Sequence, residues 1–260
     1  MLYNINMTRK QILRIFNILL LIIMINVIIL FETNNIGDDA QLVIDEFVSR
    51  GVFVETIDNI SYYRVAKKYE YEDTSNICDS YTDKLIGTTG DIYISNGNPT
   101  GGYSLGYYLK QTWSGHAAIV SRDTATLTYE IVGNRSKEEN VLTERENLWF
   151  FATRNVDMVV VRPKVKNNEK LLEYLHSNEG KPYNYVVVFH GRNSFYCLDI
   201  VIRAYDYCKI DIENNGNIVQ GCSIIASDKT YLIYYKQKLS DGKYNIYYFC
   251  EENDDWNKRH

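Results

Sequence analysis

Three residues of this chain, met in the order His116, Glu130 and Cys197, are of the types that nucleophilic catalysis by a thiol requires. The sulfur attacks a carbonyl carbon, an imidazole takes and returns the proton, and a carboxylate holds the imidazole in one tautomer. A free cysteine is mostly protonated at neutral pH, so its surroundings must favour the thiolate. Cys197 opens a segment whose positions 197, 200, 201, 204, 205 and 208 hold Cys, Ile, Val, Ala, Tyr and Cys, the spacing of an amphipathic helix. The unpaired N–H groups and the dipole at the start of such a helix favour an anion, and the same groups can serve as oxyanion donors. Each residue alone has an ordinary structural reading: a core thiol, a satisfied core histidine, an edge-strand carboxylate. The combination is what points to chemistry.

The elements that must position these residues are readable. His116 to Val120 is a strand with Ala118 and Val120 on the histidine's face. Thr126 to Val132 is the next, with Glu130 on the face of Thr126 and Thr128, and Arg122-Asp123-Thr124 forms the turn between them. Pairing in register brings the carboxylate to the imidazole. Gly90-Asp91 leads into a strand at Ile92 to Ser95, with Asp91 as a turn residue, and residues 96 to 102 read as a loop. Further strands are expected at 158 to 162, 230 to 236 and 243 to 250, and a helix at 169 to 178 ended by Gly180-Lys181-Pro182. Asp38-x-x-Gln41 has capping-box spacing and predicts the start of a short helix ending at Gly51. Residues 52 to 86 give only short β-prone pieces and a Tyr-rich, charged stretch. His190 and Asn193 fall in a loop before Cys197, and His176 in a polar helical turn. Helices and an antiparallel sheet in separate blocks predict an α+β fold.

With 260 residues, 45% hydrophobic and 23% charged, the chain suits one main domain. Ile15 to Phe31 is almost entirely apolar and follows Arg9, Lys10 and Arg14, while Phe31-Glu32-Thr33-Asn34 offers no small-residue cleavage site. That pattern predicts a retained N-terminal transmembrane helix with the remainder outside the cytoplasm, a secreted, signal-cleaved form being the alternative. All 33 acidic residues and all but three of the 28 basic ones lie after this run, a balance that argues against nucleic-acid binding. The five cysteines are an odd number without CxxC spacing, so neither a zinc ribbon nor a complete disulfide framework is indicated, and no metal or cofactor is expected.

Gly180-x-Pro182-Tyr183 followed by Phe195-Tyr196-Cys197-Leu198-Asp199-Ile200-Val201 resembles the G-x-P-Y…F-x-C-S-x-L-V segment around the nucleophile of NlpC-type papain-like hydrolases. Here Gly90-Asp91-Ile92, Gly115-His116-Ala117-Ala118-Ile119-Val120 and Tyr129-Glu130 precede the cysteine. This order resembles the circularly permuted, YiiX-like branch, whose relatives include the lecithin:retinol acyltransferase group. The resemblance covers roughly residues 88 to 235. It implies a circularly permuted papain-like fold with an antiparallel sheet packed against the nucleophile helix. It makes Cys197 the nucleophile, His116 the base and Glu130 the third polar group, with Tyr183 and Tyr196 as substrate-binding residues. The chain departs from the branch at Leu198-Asp199, where Ser-Glu is usual, and at Gly221-Cys222-Ser223-Ile224, where a proline and an aspartate are frequent.

The expected protein is thus a membrane-anchored cysteine hydrolase of the cell envelope. It would cleave an amide, with a cell-wall peptide as substrate class, or a lipid ester or amide with the same triad. A surface-binding relative that kept the fold and lost the chemistry is the non-enzymatic reading. The implied organisation is an N-terminal stub and anchor at 1–31, a linker and extension at 32–87, a hydrolase domain at 88–250 and a polar tail at 251–260.

Overall fold

In the computed structural model, residues 9–73, 85–97, 113, 115–133, 140–152, 156–185, 193–213 and 220–250 are described. Their backbone is organised by one sheet. Its strands are β1 (Gly51–Ile57), β2 (Ile60–Ala66), β3 (Ile92–Ser95), β4 (His116–Val120), β5 (Leu127–Glu130), β6 (Thr143–Glu146), β7 (Met158–Pro163), β8 (Thr230–Lys238) and β9 (Tyr244–Cys250). The order across the sheet is β1-β2-β9-β8-β7-β3-β4-β5-β6. The middle strands are buried on both faces, as β7 shows with every residue buried.

Among the described residues, five helices accompany the sheet: α1 (Arg9–Ser49), α2 (Trp149–Ala152), α3 (Asn168–Ser177), α4 (Cys197–Tyr207) and α5 (Gly221–Ile225). Helix α4 packs on β4 and against α3, and α1 packs on α5 and β8. Asn167 caps α3, its side chain accepting the backbone N–H of Lys170 at 3.2 Å.

Two features correct the expected fold class. The sheet is mixed rather than antiparallel, because β2 runs parallel to β9, Ile60 opposite Tyr244 through Ala66 opposite Cys250. The hairpin β1–β2 comes from the segment that gave no clear assignment. It turns through Asp58 and Asn59, both left-handed with φ of 48° and 67°, a conformation Asp and Asn tolerate better than other side-chain-bearing residues. The expected N-terminal transmembrane helix is likewise not supported: among the described residues no helix is long and apolar enough to cross a membrane. The apolar run is part of the 41-residue α1, which passes without a break into a polar half committed to the core. Ala40, Ile44 and Phe47 are buried there. Asp38 therefore lies inside a helix instead of capping one, and Gln41 donates to Asp45 one turn on. The polar tail at 251–260 and most of the loop at 96–102 lie outside the described residues.

At the start of β3 the fold buries a charge cluster. Asp91, fully buried, accepts from Arg162 through Oδ1 (3.0 Å, from Nε) and Oδ2 (2.7 Å, from Nη2), from Lys166 at 2.6 Å and from the Thr88 backbone N–H at 2.8 Å. A carboxylate with this many donors is a structural tie between the strand, β7 and the chain leading into α3.

Candidate active site

The site lies where β4 and β5 meet the start of α4. His116 is the first residue of β4 and stands opposite Ser95 on β3. Glu130 stands opposite Ala118, two residues along β4 from His116 and therefore on the same face. The register delivers the contact the sequence pattern requires: His116 Nε2 lies 2.9 Å from Glu130 Oε2. Cys197 is the other group that acts on the ring, its sulfur raising the His116 pKa together with Glu130. With Nε2 turned to the carboxylate, Nδ1 is the ring nitrogen left for the sulfur.

Cys197 is the first residue of α4. The N-cap, Tyr196, is extended (φ −105°, ψ 170°) and no side chain caps the helix start. The backbone donors of the first turn therefore stand beside the sulfur without side-chain competition. Among the described cysteines, 197, 208 and 222 are free thiols. They differ in surroundings: burial pushes Cys222 up to about 12 and raises Cys208, while Cys197 faces an imidazole.

Electrostatics bind the three groups together. Burial alone would lower the His116 pKa, but its interactions with Cys197 and Glu130 outweigh this and carry it to about 10. Burial pushes Glu130 up, and the hydrogen bond and charge of His116 overcome this to hold it below its ordinary value. The imidazole is thus cationic at neutral pH beside an ionised Glu130 carboxylate.

A close chain crossing sets the entry to β4. A Cβ at Gly115 would lie 2.4 Å from the backbone of Gly97, closer than any side chain permits. Gly115→Ala is expected to push the start of β4 outward and misplace His116. The check is the rate of Cys197 alkylation, with a loss of about tenfold or more expected for a base displaced by about 1 Å.

Tyr183 and Tyr196 are near enough to Cys197 for its charge to act on their phenols. Tyr183 is half-buried, its ring packed on Gly133, where a Cβ would come within 2.9 Å of it. Its backbone bridges to Phe195. Burial first, and then the charge of Cys197, raises its phenol above the ordinary value, and burial together with Asp199 and Cys197 does the same for Tyr196. Asp199 pairs with Arg203 at 2.8 Å along the helix. His176 is exposed beside Glu179 and does not join the site, and His190 lies outside the described residues. Asn193 is exposed in the loop before α4.

The sequence reading missed Trp149. Its ring stacks on His116 with centroids 5.0 Å apart, and its Nε1–H donates to Glu130 Oε2 at 3.1 Å. It also missed Asn147, which accepts the Trp149 backbone N–H at 3.1 Å, and Tyr185, which packs on Tyr183 and accepts from Asn140 at 2.6 Å. No local pattern marks Trp149 or Asn147, which come to the site through the pairing of β4, β5 and β6. Among the described residues no group of three or more His, Cys, Asp or Glu side chains could hold a metal ion.

No protein-family model matches the chain, and no curated protein matches it. Among solved structures the chain is similar to the metalloprotein yiiX from Escherichia coli O157:H7, described as DUF1105, at 14% identity and a TM-score of 0.45, over 56% of this chain and 96% of that one.

Proposed function

We propose that this site is that of a thiol hydrolase that cleaves an amide through an acyl-enzyme at Cys197. The observation that carries the reading is His116 bonded to the Glu130 carboxylate at 2.9 Å and coupled to Cys197, which opens a helix with no side-chain cap. The resemblance of Gly180-x-Pro182-Tyr183 and Phe195-Tyr196-Cys197 to the nucleophile segment of NlpC-type hydrolases supports it.

In this mechanism the thiolate attacks the carbonyl carbon, and the carbonyl π pair moves to oxygen. The resulting oxyanion is met by backbone N–H groups of the first turn of α4. The His116 imidazolium gives its proton to the leaving nitrogen as the C–N bond breaks, leaving a thioester on Cys197. Water then attacks the thioester with neutral His116 taking its proton, and the proton returns as the carboxylic acid leaves and the thiol is restored. Glu130 holds the ring in one tautomer and stabilises its charge. Tyr183 and Tyr196 line the approach to the sulfur. The substrate class is a peptide of the cell-wall type, with a lipid ester or amide as the competing class.

The test is acyl-enzyme trapping on the full chain. Wild type is incubated with short wall-type peptides and, separately, with p-nitrophenyl acyl esters of increasing chain length. The intact mass and the released product are then measured. A mass gain located at Cys197, absent in Cys197→Ser and followed by turnover, supports the hydrolase. Preference for peptides or for long acyl chains separates the two substrate classes. No adduct on Cys197 with any of these acyl donors overturns the reading in favour of a binding module.

A further inference from the structure

Trp149 contacts both partners of the imidazole–carboxylate pair. The planes of its indole and of the His116 ring are 7° apart with centroids 5.0 Å apart. Its Nε1–H ends on Glu130 Oε2 at 3.1 Å, the same oxygen that meets His116 Nε2 at 2.9 Å. A carboxylate oxygen offers two lone-pair directions, so the two rings together occupy this one and set the rotation of the whole group.

The indole is itself fixed. Its backbone N–H donates to Asn147 Oδ1, and Asn147 Nδ2 donates to the Ala125 carbonyl at 2.6 Å and to Tyr93 Oη at 3.0 Å. Tyr93 in turn donates to the Ile86 carbonyl at 2.7 Å. Trp149, Asn147, Ala125, Tyr93 and Ile86 are all buried. A tryptophan serving only as volume would not need its one donor on that carboxylate.

We infer that Trp149 is a positioning residue that locks the Glu130 carboxylate and the His116 ring in a single arrangement and favours the charged imidazole facing Cys197. The inference rests on the triad reading and extends it. The donor replaces a water on Oε2 and so keeps the carboxylate from rotating away from the ring. The indole face attracts a cation lying over it, which favours the imidazolium. The ring also covers the His116–Glu130 bond from one side, strengthening it by excluding water.

The experiment follows alkylation of Cys197 by iodoacetamide across pH in the full chain, with sites read by mass spectrometry and the His116 titration followed by NMR. Trp149→Phe keeps a flat face and loses the donor; Trp149→Leu loses both. Labelling of Cys197 at pH 7 is expected to slow about tenfold in Trp149→Phe and about thirtyfold in Trp149→Leu. The His116 titration should move down in Trp149→Leu, a change that loss of bulk packing would not produce. Where Trp149→Leu fails to fold, Trp149→Phe, closer in volume and shape, carries the test. Wild-type labelling and His116 titration in the folded variants, together with slowed labelling in His116→Gln, overturn the inference and leave the triad standing. Wild-type labelling in His116→Gln as well takes down the triad, and the inference with it.

Discussion

His116→Gln is expected to lower acyl transfer to Cys197 by roughly 10⁴-fold at pH 7, since it removes both the proton acceptor for the thiol and the donor for the leaving group. Glutamine preserves a polar side chain of similar reach, so the loss reports chemistry more than packing. The same variant changes the pH dependence of stability. His116 has its pKa raised from 6.5 to about 10, so the stabilisation it supplies is complete below about pH 6.5 and is lost as pH rises through about 10. Glu130, held below its ordinary value, works in the other direction: its contribution is present above its unfolded-state pKa and fades as pH falls through the folded one. Wild type should therefore lose melting temperature between neutral pH and pH 10, and His116→Gln should lack that slope. Thermal melts at matched ionic strength check this, and a parallel decline in both proteins would contradict it.

The second large effect concerns stability alone. Asp91→Ala is expected to cost about 3–5 kcal/mol, because Arg162 and Lys166 would be left in the interior without their carboxylate. For a domain of this size that corresponds to a fall of roughly 10 °C in melting temperature. Arg162 is 1% exposed and cannot turn to water without opening the sheet. The combination Asp91→Ala with Arg162→Met should recover part of the loss, since an apolar side chain of similar length replaces an unpaired charge. Asp91 immediately precedes β3, whereas His116 pairs with Ser95 at the strand's far end, roughly 13 Å away. Denaturant melts of the two variants decide the matter, and a single variant within about 1 kcal/mol of wild type would show the cluster to be solvated.

What the sequence revealed follows from where each signal resides. Strands β3, β4, β5, β7, β8 and β9 announce themselves by short apolar or alternating runs between turn residues. Helix α4 does so by its 3.6-residue stripe, which also placed Cys197 at a helix start. His116 and Glu130 could be brought together on paper because their strands are joined by a short turn and the register follows from the side-chain alternation. Trp149 was invisible for the opposite reason. Its contact with His116 spans two further strands and depends on how β6 returns the chain to the sheet. The hairpin β1–β2 was missed because its partner is β9, although Asp58-Asn59 between two β-prone runs is a two-residue turn signal that was there to be read. The long α1 was misread in two places. Its apolar half suggested a separate membrane element, and Asp38-x-x-Gln41 suggested a new start. The burial of Ala40, Ile44 and Phe47 shows that tertiary packing, not the local signal, determines where this helix runs.

The parallel seam between β2 and β9 has a consequence in time. Ile60 meets Tyr244 across it, about 180 residues later in the chain, so closing the seam carries one of the largest loop entropies the fold has to overcome. The β1–β2 hairpin can form early on its own turn, yet it has no place to dock until β9 has paired with β8. Until then β2 presents an open strand edge. The sheet is therefore expected to close from its middle outward, with the early hairpin among the last pieces to lock, and pulse-labelled hydrogen exchange during refolding should protect β2 after β7 and β8.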